Sequence, residues 1–512
     1  MAKDPTSEFA SPAAATLAGG GGAANAPRSG FFGHPRGLST LFFTEFWERF
    51  SYYGMRALLI LYMTAAAERG GLGFSDSRAG AIYGLYTAFV YLLALPGGWI
   101  ADQLLGQRRA VFLGGCIIAM GHFSLAVESM TFFYLGLVLI VIGTGLLKPN
   151  VSTMVGELYP EGGARRDAGF SIFYMGINLG AFIAPLICGP LGQRVNWHYG
   201  FAAAGIGMVI GLIQYVAMGK HLGDAGLRRK EAADPVARGK AVRLLTIALV
   251  VAALGAALAV SGVVRVQVET LAGFTGVIIV GLAVLYLVFQ LTAGGLDSTE
   301  KKRMGVIFIL FLFSAIFWSG FEQAGSSLNL FAERLTNLNI FGRNIPASTL
   351  QSVNPILIIA LAPVFAWLWV RLARASREPS APAKFSVGLI LLGLGFGVMA
   401  WASILTSGQT RQVAPTWLIL TYLLHTCGEL CLSPVGLSTV TKLAPQRKVG
   451  QMMGIWFMSV ALGNLMAGLV AGRFESLPLP QLFGTVASIT AGAGLILFVL
   501  VKPIRNLMTG VK

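Results

Sequence analysis

Long apolar stretches recur along this chain at intervals that leave few options for its fold. A helix needs about 20 mainly apolar residues to cross the hydrocarbon of a bilayer. Fourteen candidates are present, at 38–66, 77–101, 110–128, 131–156, 168–192, 197–219, 242–263, 270–293, 304–333, 346–370, 385–406, 415–440, 449–472 and 480–501. They are too long and too evenly apolar for the strands of a membrane barrel, which alternate over about ten residues. The prediction is an all-α membrane protein with fourteen transmembrane helices. Only 12% of the residues are charged, against about 25% in a soluble domain. A soluble enzyme, a disordered scaffold and a disulfide-stapled mini-protein are excluded.

The net charge of +16 does not imply a nucleic-acid partner. Lys and Arg sit in short clusters between the apolar runs and form no continuous basic face. With the N-terminus placed inside, the inner clusters hold 27 of the 38 Lys and Arg residues, the outer loops hold 8, and 3 lie within spans. This asymmetry predicts both termini on the cytoplasmic side. Residues 1–37 are rich in Ala, Gly and Pro and lack a signal-peptide core, so a disordered cytoplasmic tail is expected.

The plan is six helices over 38–219, a basic loop with two helices over 220–303, and six helices over 304–512. Beyond Arg243 at its inner edge, the inserted pair holds no Asp, Glu, Lys or Arg, so both are read as lipid-facing inserts. Two six-helix halves facing one cavity is a transporter's organisation. Fourteen spans create no need for a second copy, so a monomer in the lipid bilayer is expected.

Seven ionisable residues fall well inside spans: Glu45, Glu48, Arg49, Arg56, Lys148, Glu322 and Glu429. Each costs roughly 2.5–3.5 kcal/mol at the bilayer centre. Seven facing lipid would cost on the order of 20 kcal/mol, more than the net stability of a domain. They must face a polar interior. On the first helix, Glu45, Arg49, Tyr52 and Arg56 fall within about 60° of arc, flanked by Glu48 and Tyr53. Lys148 lies at about the depth of Glu48 and Arg49, where salt bridging is available. Pro149 beside it permits a kink.

The second half contributes Glu322 and Glu429. A cavity between the halves would have a positive wall, Arg56 and Lys148, and a negative wall. That suits a zwitterion with separated termini, its carboxylate on the Arg/Lys side and its ammonium on a Glu. A carboxyl group out of water can also hold a proton near neutral pH, so one set of residues could couple proton and solute.

Other chemistries find no support. His425 and Glu429 are four residues apart but lack a third ligand, so no metal site is expected. Cys116, Cys188, Cys427 and Cys431 lie inside apolar runs with no C-x-x-C spacing. No phosphate-binding loop, zinc-protease signature or nucleophile elbow is present. The energy source should be an ion gradient, with no cofactor and no enzymatic activity.

Several of these segments resemble the proton-dependent oligopeptide transporter family of the major facilitator superfamily. The pattern E-x-x-E-R-F-x-Y-Y-G is complete at 45–54. A second family motif is matched at 170–180, FSIFYMGINLG. The segment 98–109, GWIADQLLGQRR, is similar to the superfamily's loop between helices two and three. The inserted pair matches bacterial members, which implies the inner membrane of a bacterium.

The resemblance implies roles by position. Arg56 and Lys148 would hold a peptide's carboxylate and Glu429 its amino group. Tyr53, Tyr91, Asn178, Asn354, Trp318, Ser433 and Trp456 would line the pocket. Glu45, Glu48 and Arg49 would couple proton binding to Lys148, and Glu322 would be a proton site tied to Arg56. The histidine that some members carry on the second helix is missing, so carboxylates should handle the proton. The implied function is proton-coupled import of di- and tripeptides by alternating access. The alternative is proton-coupled uptake of another anion, such as nitrate, or of peptide-like drugs.

Overall fold

The computed structural model describes residues 30–227, 235–261, 267–340 and 342–509. Most of the expected N-terminal tail, and part of the basic loop after 220, lie outside them. The helices are α1 (Arg36–Thr64), α2 (Asp76–Leu92), α3 (Ala94–Ile100), α4 (Gln107–Leu125), α5 (Met130–Glu157), α6 (Gly163–Pro190), α7 (Trp197–Ala217), α8 (Pro235–Val260), α9 (Val268–Thr292), α10 (Ser298–Phe321), α11 (Ser327–Leu335), α12 (Val353–Arg374), α13 (Ala381–Leu405), α14 (Thr416–Leu443), α15 (Val449–Ala471) and α16 (Leu479–Leu507). Because α2 and α3 form one crossing and α10 and α11 another, these make fourteen. Among the described residues, eleven helical segments are long and apolar enough to cross a membrane by length and composition. The other three crossings are α1, α4 and α8, and α1 carries its charges mid-helix. A two-residue hairpin, Asn339–Ile340 with Arg343–Asn344, is the only sheet among the described residues.

Helix starts follow local chemistry. Ser75 accepts a hydrogen bond from the Arg78 amide at 3.3 Å. Asn196 does the same for His198 at 2.8 Å. Asp297 and Glu300 form a reciprocal capping box at the start of α10, satisfying two otherwise unpaired amides.

In the first half α1 packs on α6 and α7, and α4 on α5 and α7. In the second, α13 packs on α14 and α16, and α10 on α15 and α16. Small residues set the close approaches, as in other membrane bundles. A Cβ at Gly176 would lie 2.9 Å from the Phe42 ring, so this motif glycine lets α6 lie on α1. The halves meet chiefly where α2 crosses α15 and where α6 meets α12. At the first crossing Gly80 and Gly84 face Gly468 and Gly472. A Cβ at Gly84 would sit 2.8 Å from the Leu465 carbonyl oxygen.

Two expectations are revised. The ninth span is not one helix. It breaks at Glu322, where a 3-10 turn (Glu322–Gly325) joins α10 to α11. The break frees the Glu322 carbonyl, which accepts from Arg56 Nη2 at 3.4 Å. Gln323 ties the turn down, donating to the Ser319 carbonyl at 3.0 Å and accepting from Ser327 at 2.7 Å. Nor is the inserted pair wholly lipid-facing. One face of α9, including Ala272, Thr275, Ile279 and Ala283, is buried, and the helix packs on both α2 and α15. Tyr286 donates to Gln451 at 2.6 Å, and Lys448 reaches Gln290 and the Gly294 carbonyl.

The named polar links between the two six-helix halves run from mid-bundle to the end away from the chain termini. Arg334 grips Asp76 with two bonds of 2.7 and 2.8 Å. Gln193 donates to Glu333 at 2.8 Å and accepts from Ser348. Ser352 donates to the Phe182 carbonyl, and Asn329 to that of Ala57.

Candidate functional site

The seven in-span ionisable residues do not face lipid. All but Lys148, which is half-buried, are buried. They form three groups. On α1, Arg49 Nε lies 3.2 Å from Glu45, and Arg49 donates to both oxygens of Glu48, at 2.6 Å through Nη2. The Tyr52 ring lies 5.1 Å from the same guanidinium. The i, i+4 spacing of Glu45 and Arg49 makes this cluster a product of one helix turn. Glu45 Oε2 is left buried without a hydrogen-bond partner.

The second group crosses between the halves. Arg56 of α1 makes an ion pair with Glu322, at the break between α10 and α11. Arg56 Nε donates to the Tyr83 hydroxyl of α2 at 2.6 Å. The Tyr53 ring lies 5.7 Å from the guanidinium carbon. A helix broken at mid-membrane and presenting an ionisable side chain is a recurrent feature of transporter sites.

The third group lies in the second half. Asn354 of α12 donates to Thr426 at 2.9 Å and to Glu429 at 3.4 Å, the latter two on α14. Glu429 interacts electrostatically with Glu322, Tyr53 and Tyr174, so it belongs to the same central region as Arg56.

Lys148 differs from expectation. It makes no salt bridge to Glu45 or Glu48: Arg49 takes both oxygens of Glu48 and one of Glu45. Its ammonium lies 4.2 Å from the centre of the Tyr91 ring, a cation–π contact. It remains within electrostatic range of Arg49, Glu48, Glu45 and Glu322.

The remaining predicted residues are less closely joined. Asn178 is buried, and its amide donates to the Tyr174 carbonyl one turn earlier at 3.0 Å. Trp318 is half-buried between Phe317 and Phe321, and its indole N–H is buried without a partner. Trp456 packs on Phe385, its ring filling the space above Gly436. Ser433 is half-buried on α14. Sequence reasoning missed Tyr83 and Thr426. Thr426 had a signal, three residues before Glu429. Tyr83 had none, since nothing sets it apart from Tyr86 and Tyr91 in the same apolar run.

Two six-helix halves, with buried charges of opposite sign meeting across their seam, define a membrane carrier of the major facilitator type. A model of the POT family, PTR2, matches residues 108–483. The peptide transporter YePEPT of Yersinia enterocolitica is 43% identical over 491 residues, 93% of this chain and 96% of that protein. A di-/tripeptide transporter of Lactococcus lactis subsp. cremoris is 39% identical over 490 residues, 94% of this chain and 98% of that one. Among solved structures, a peptide transporter POT in complex with sulfate superposes with a TM-score of 0.88 at 43% identity, covering 95% of this chain and 98% of that one. The chain belongs to the POT family.

Proposed function

We propose that this protein is a proton-coupled symporter that imports di- and tripeptides by alternating access. The observation that carries this reading is the buried pair of Arg56 and Glu322 across the seam between the halves, with Lys148 and Glu429 nearby. A buried ion pair tolerates loss of one partner badly, because the other charge is left uncompensated. A proton on Glu322 cancels its charge and releases Arg56. The carboxylate of an incoming peptide then replaces one anion with another, so Arg56 is never left unpaired. Release reverses the order: the proton leaves Glu322, its carboxylate reclaims Arg56, and the peptide departs.

In this reading Lys148 shares the peptide carboxylate and Glu429 takes the ammonium. Tyr53, Tyr91, Asn178, Asn354, Trp318, Ser433 and Trp456 line the pocket. Glu45, Glu48 and Arg49 pass the proton state to Lys148. The working halves are 38–219 and 304–512, and the inserts scaffold them. The protein acts as a monomer in a bacterial inner membrane with both termini cytoplasmic, takes its energy from the proton gradient, uses no cofactor and performs no enzymatic chemistry. With that orientation, the links from Asp76 to Ser352 join the two halves on the outer side.

A simple anion such as nitrate would have no use for Glu429, whose negative pole favours a substrate with a free amine. The test is uptake of a labelled dipeptide into proteoliposomes. The expected result is accumulation above equilibrium under an acidic-outside gradient, lost on adding a protonophore. Binding without accumulation would indicate a receptor instead.

A further inference from the structure

Tyr83 stands outside the set of residues that line the pocket in this reading, yet it holds the group on which the exchange depends. It lies on α2 and is fully buried. Its hydroxyl accepts the Arg56 Nε–H at 2.6 Å, and its ring lies 5.9 Å from the same guanidinium carbon. A second observation comes from the opposite half. Gly325 closes the turn that carries Glu322. A Cβ built there would meet the Tyr83 hydroxyl first, then Arg56 Nε at 2.8 Å and Nη2 at 3.0 Å. The missing side chain at 325 is therefore the space into which the tyrosine hydroxyl and the guanidinium are seated.

Arg56 has two anchors of different kind. Its Nη2 end holds Glu322, a partner that changes charge, and its Nε edge holds Tyr83, a partner that stays neutral. A guanidinium presents its donors in a rigid planar fork. Fixing Nε fixes where the Nη edge points after Glu322 lets go.

We infer that Tyr83 is a positioning residue: its hydroxyl keeps the Arg56 fork aimed at the substrate carboxylate while Glu322 exchanges its proton. The inference rests on the proton-coupled peptide reading above. Without the hydroxyl, Nε would be a buried donor lacking a partner and would turn to the remaining acceptor, Glu322. Both effects can be read. The aim of the fork for the peptide is lost, and Glu322 gains a second N–H bond that favours its charged form. Arg56 contacts Glu322, and the other groups within electrostatic range of it are Tyr52 and Tyr53 on α1, Tyr83 and Tyr91 on α2, Lys148 on α5 and Glu429 on α14. Tyr83→Phe changes only one of them.

The experiment has two arms. In proteoliposomes, Tyr83→Phe should raise the KM for dipeptide exchange about tenfold, the scale of one hydrogen bond to a charged group. In the second arm, infrared difference spectroscopy follows the protonated Glu322 carboxyl, its band assigned by its loss in Glu322→Gln. Tyr83→Phe should move the midpoint of that band toward acid by about one pH unit. Gly325→Ala, which presses on the same hydroxyl and fork from the other half, should act in the same direction and serves if Tyr83→Phe does not fold. A native KM together with a native midpoint in a folded variant would overturn the inference. Failure of the unsubstituted protein to accumulate peptide would instead count against the transport reading, and the infrared arm would still decide the role of Tyr83.

Discussion

Arg56 and Glu322 form an ion pair between the two six-helix halves, with 6% and 5% of their surfaces exposed. Glu322 occupies the break between α10 and α11, and Arg56 satisfies both its carboxylate and the carbonyl that the break frees. One arginine thus joins the first half to a helix break in the second.

Arg56→Ala should abolish gradient-driven uptake and exchange alike, because Lys148 alone does not fix a carboxylate. It also strands Glu322 as a buried charge, at a cost of ~3–5 kcal/mol if the group stays ionised. Equilibrium binding of a labelled dipeptide checks this, and unchanged binding would refute the clamp.

Glu429→Gln should harm peptides with a free amine more than N-blocked peptides. The substitution keeps the shape of the side chain and its contact with Asn354 while removing the charge that an ammonium would meet. Competition by matched free and N-acetylated dipeptides against one labelled substrate gives the ratio. Equal loss for both would count against the amine role.

Asp76→Asn should loosen the seam at the end away from the termini. It replaces a charged, two-pronged partner of Arg334 with a neutral one. Hydrogen bonds to charged groups contribute about 1.5–3 kcal/mol, so the ratio of open to closed forms at this end should rise about tenfold or more. Spin labels at Val195 and Asn339, both exposed, report the distance across the seam. An unchanged distance distribution would mean that the other links suffice.

Gly84→Val should lower the melting temperature and block transport. There is no room for a side chain where α2 crosses α15, with the Leu465 carbonyl oxygen 2.8 Å and Gly468 Cα 3.2 Å from a Cβ at this position. Overpacking of this kind costs about 1–3 kcal/mol. A native melting temperature would indicate that the crossing is loosely packed.

The crossings were legible in the sequence because hydrocarbon permits few sequences: each apolar run of sufficient length produced a helical crossing, the second and the ninth in two pieces, with limits that shift by up to seven residues. The buried charges were legible for the same reason, since Glu45, Arg49, Arg56 and Glu429 are too costly to place against lipid. Partner choice was not. Depth along the helix makes Lys148 a candidate partner for Glu45 and Glu48, but depth does not say which way the side chain turns: Arg49, on the carboxylates' own helix, pairs with both, and the ammonium lies over Tyr91. The break at Glu322 was hidden because hydropathy is blind to backbone hydrogen bonding, and the Gly325-Ser326 pair that interrupts the helix does not interrupt the apolar run. The role of α9 was hidden too, because a face packed against α2 and α15 reads like a face packed against lipid when both are apolar.

The most direct test of the account compares two assays on Glu322→Gln in the same proteoliposomes. A glutamine can still accept a hydrogen bond from Arg56 but cannot take up or release a proton. The account predicts that peptide exchange across the membrane persists while accumulation under an acidic-outside gradient disappears. Accumulation at the unsubstituted level would contradict it, and would place the proton on another group.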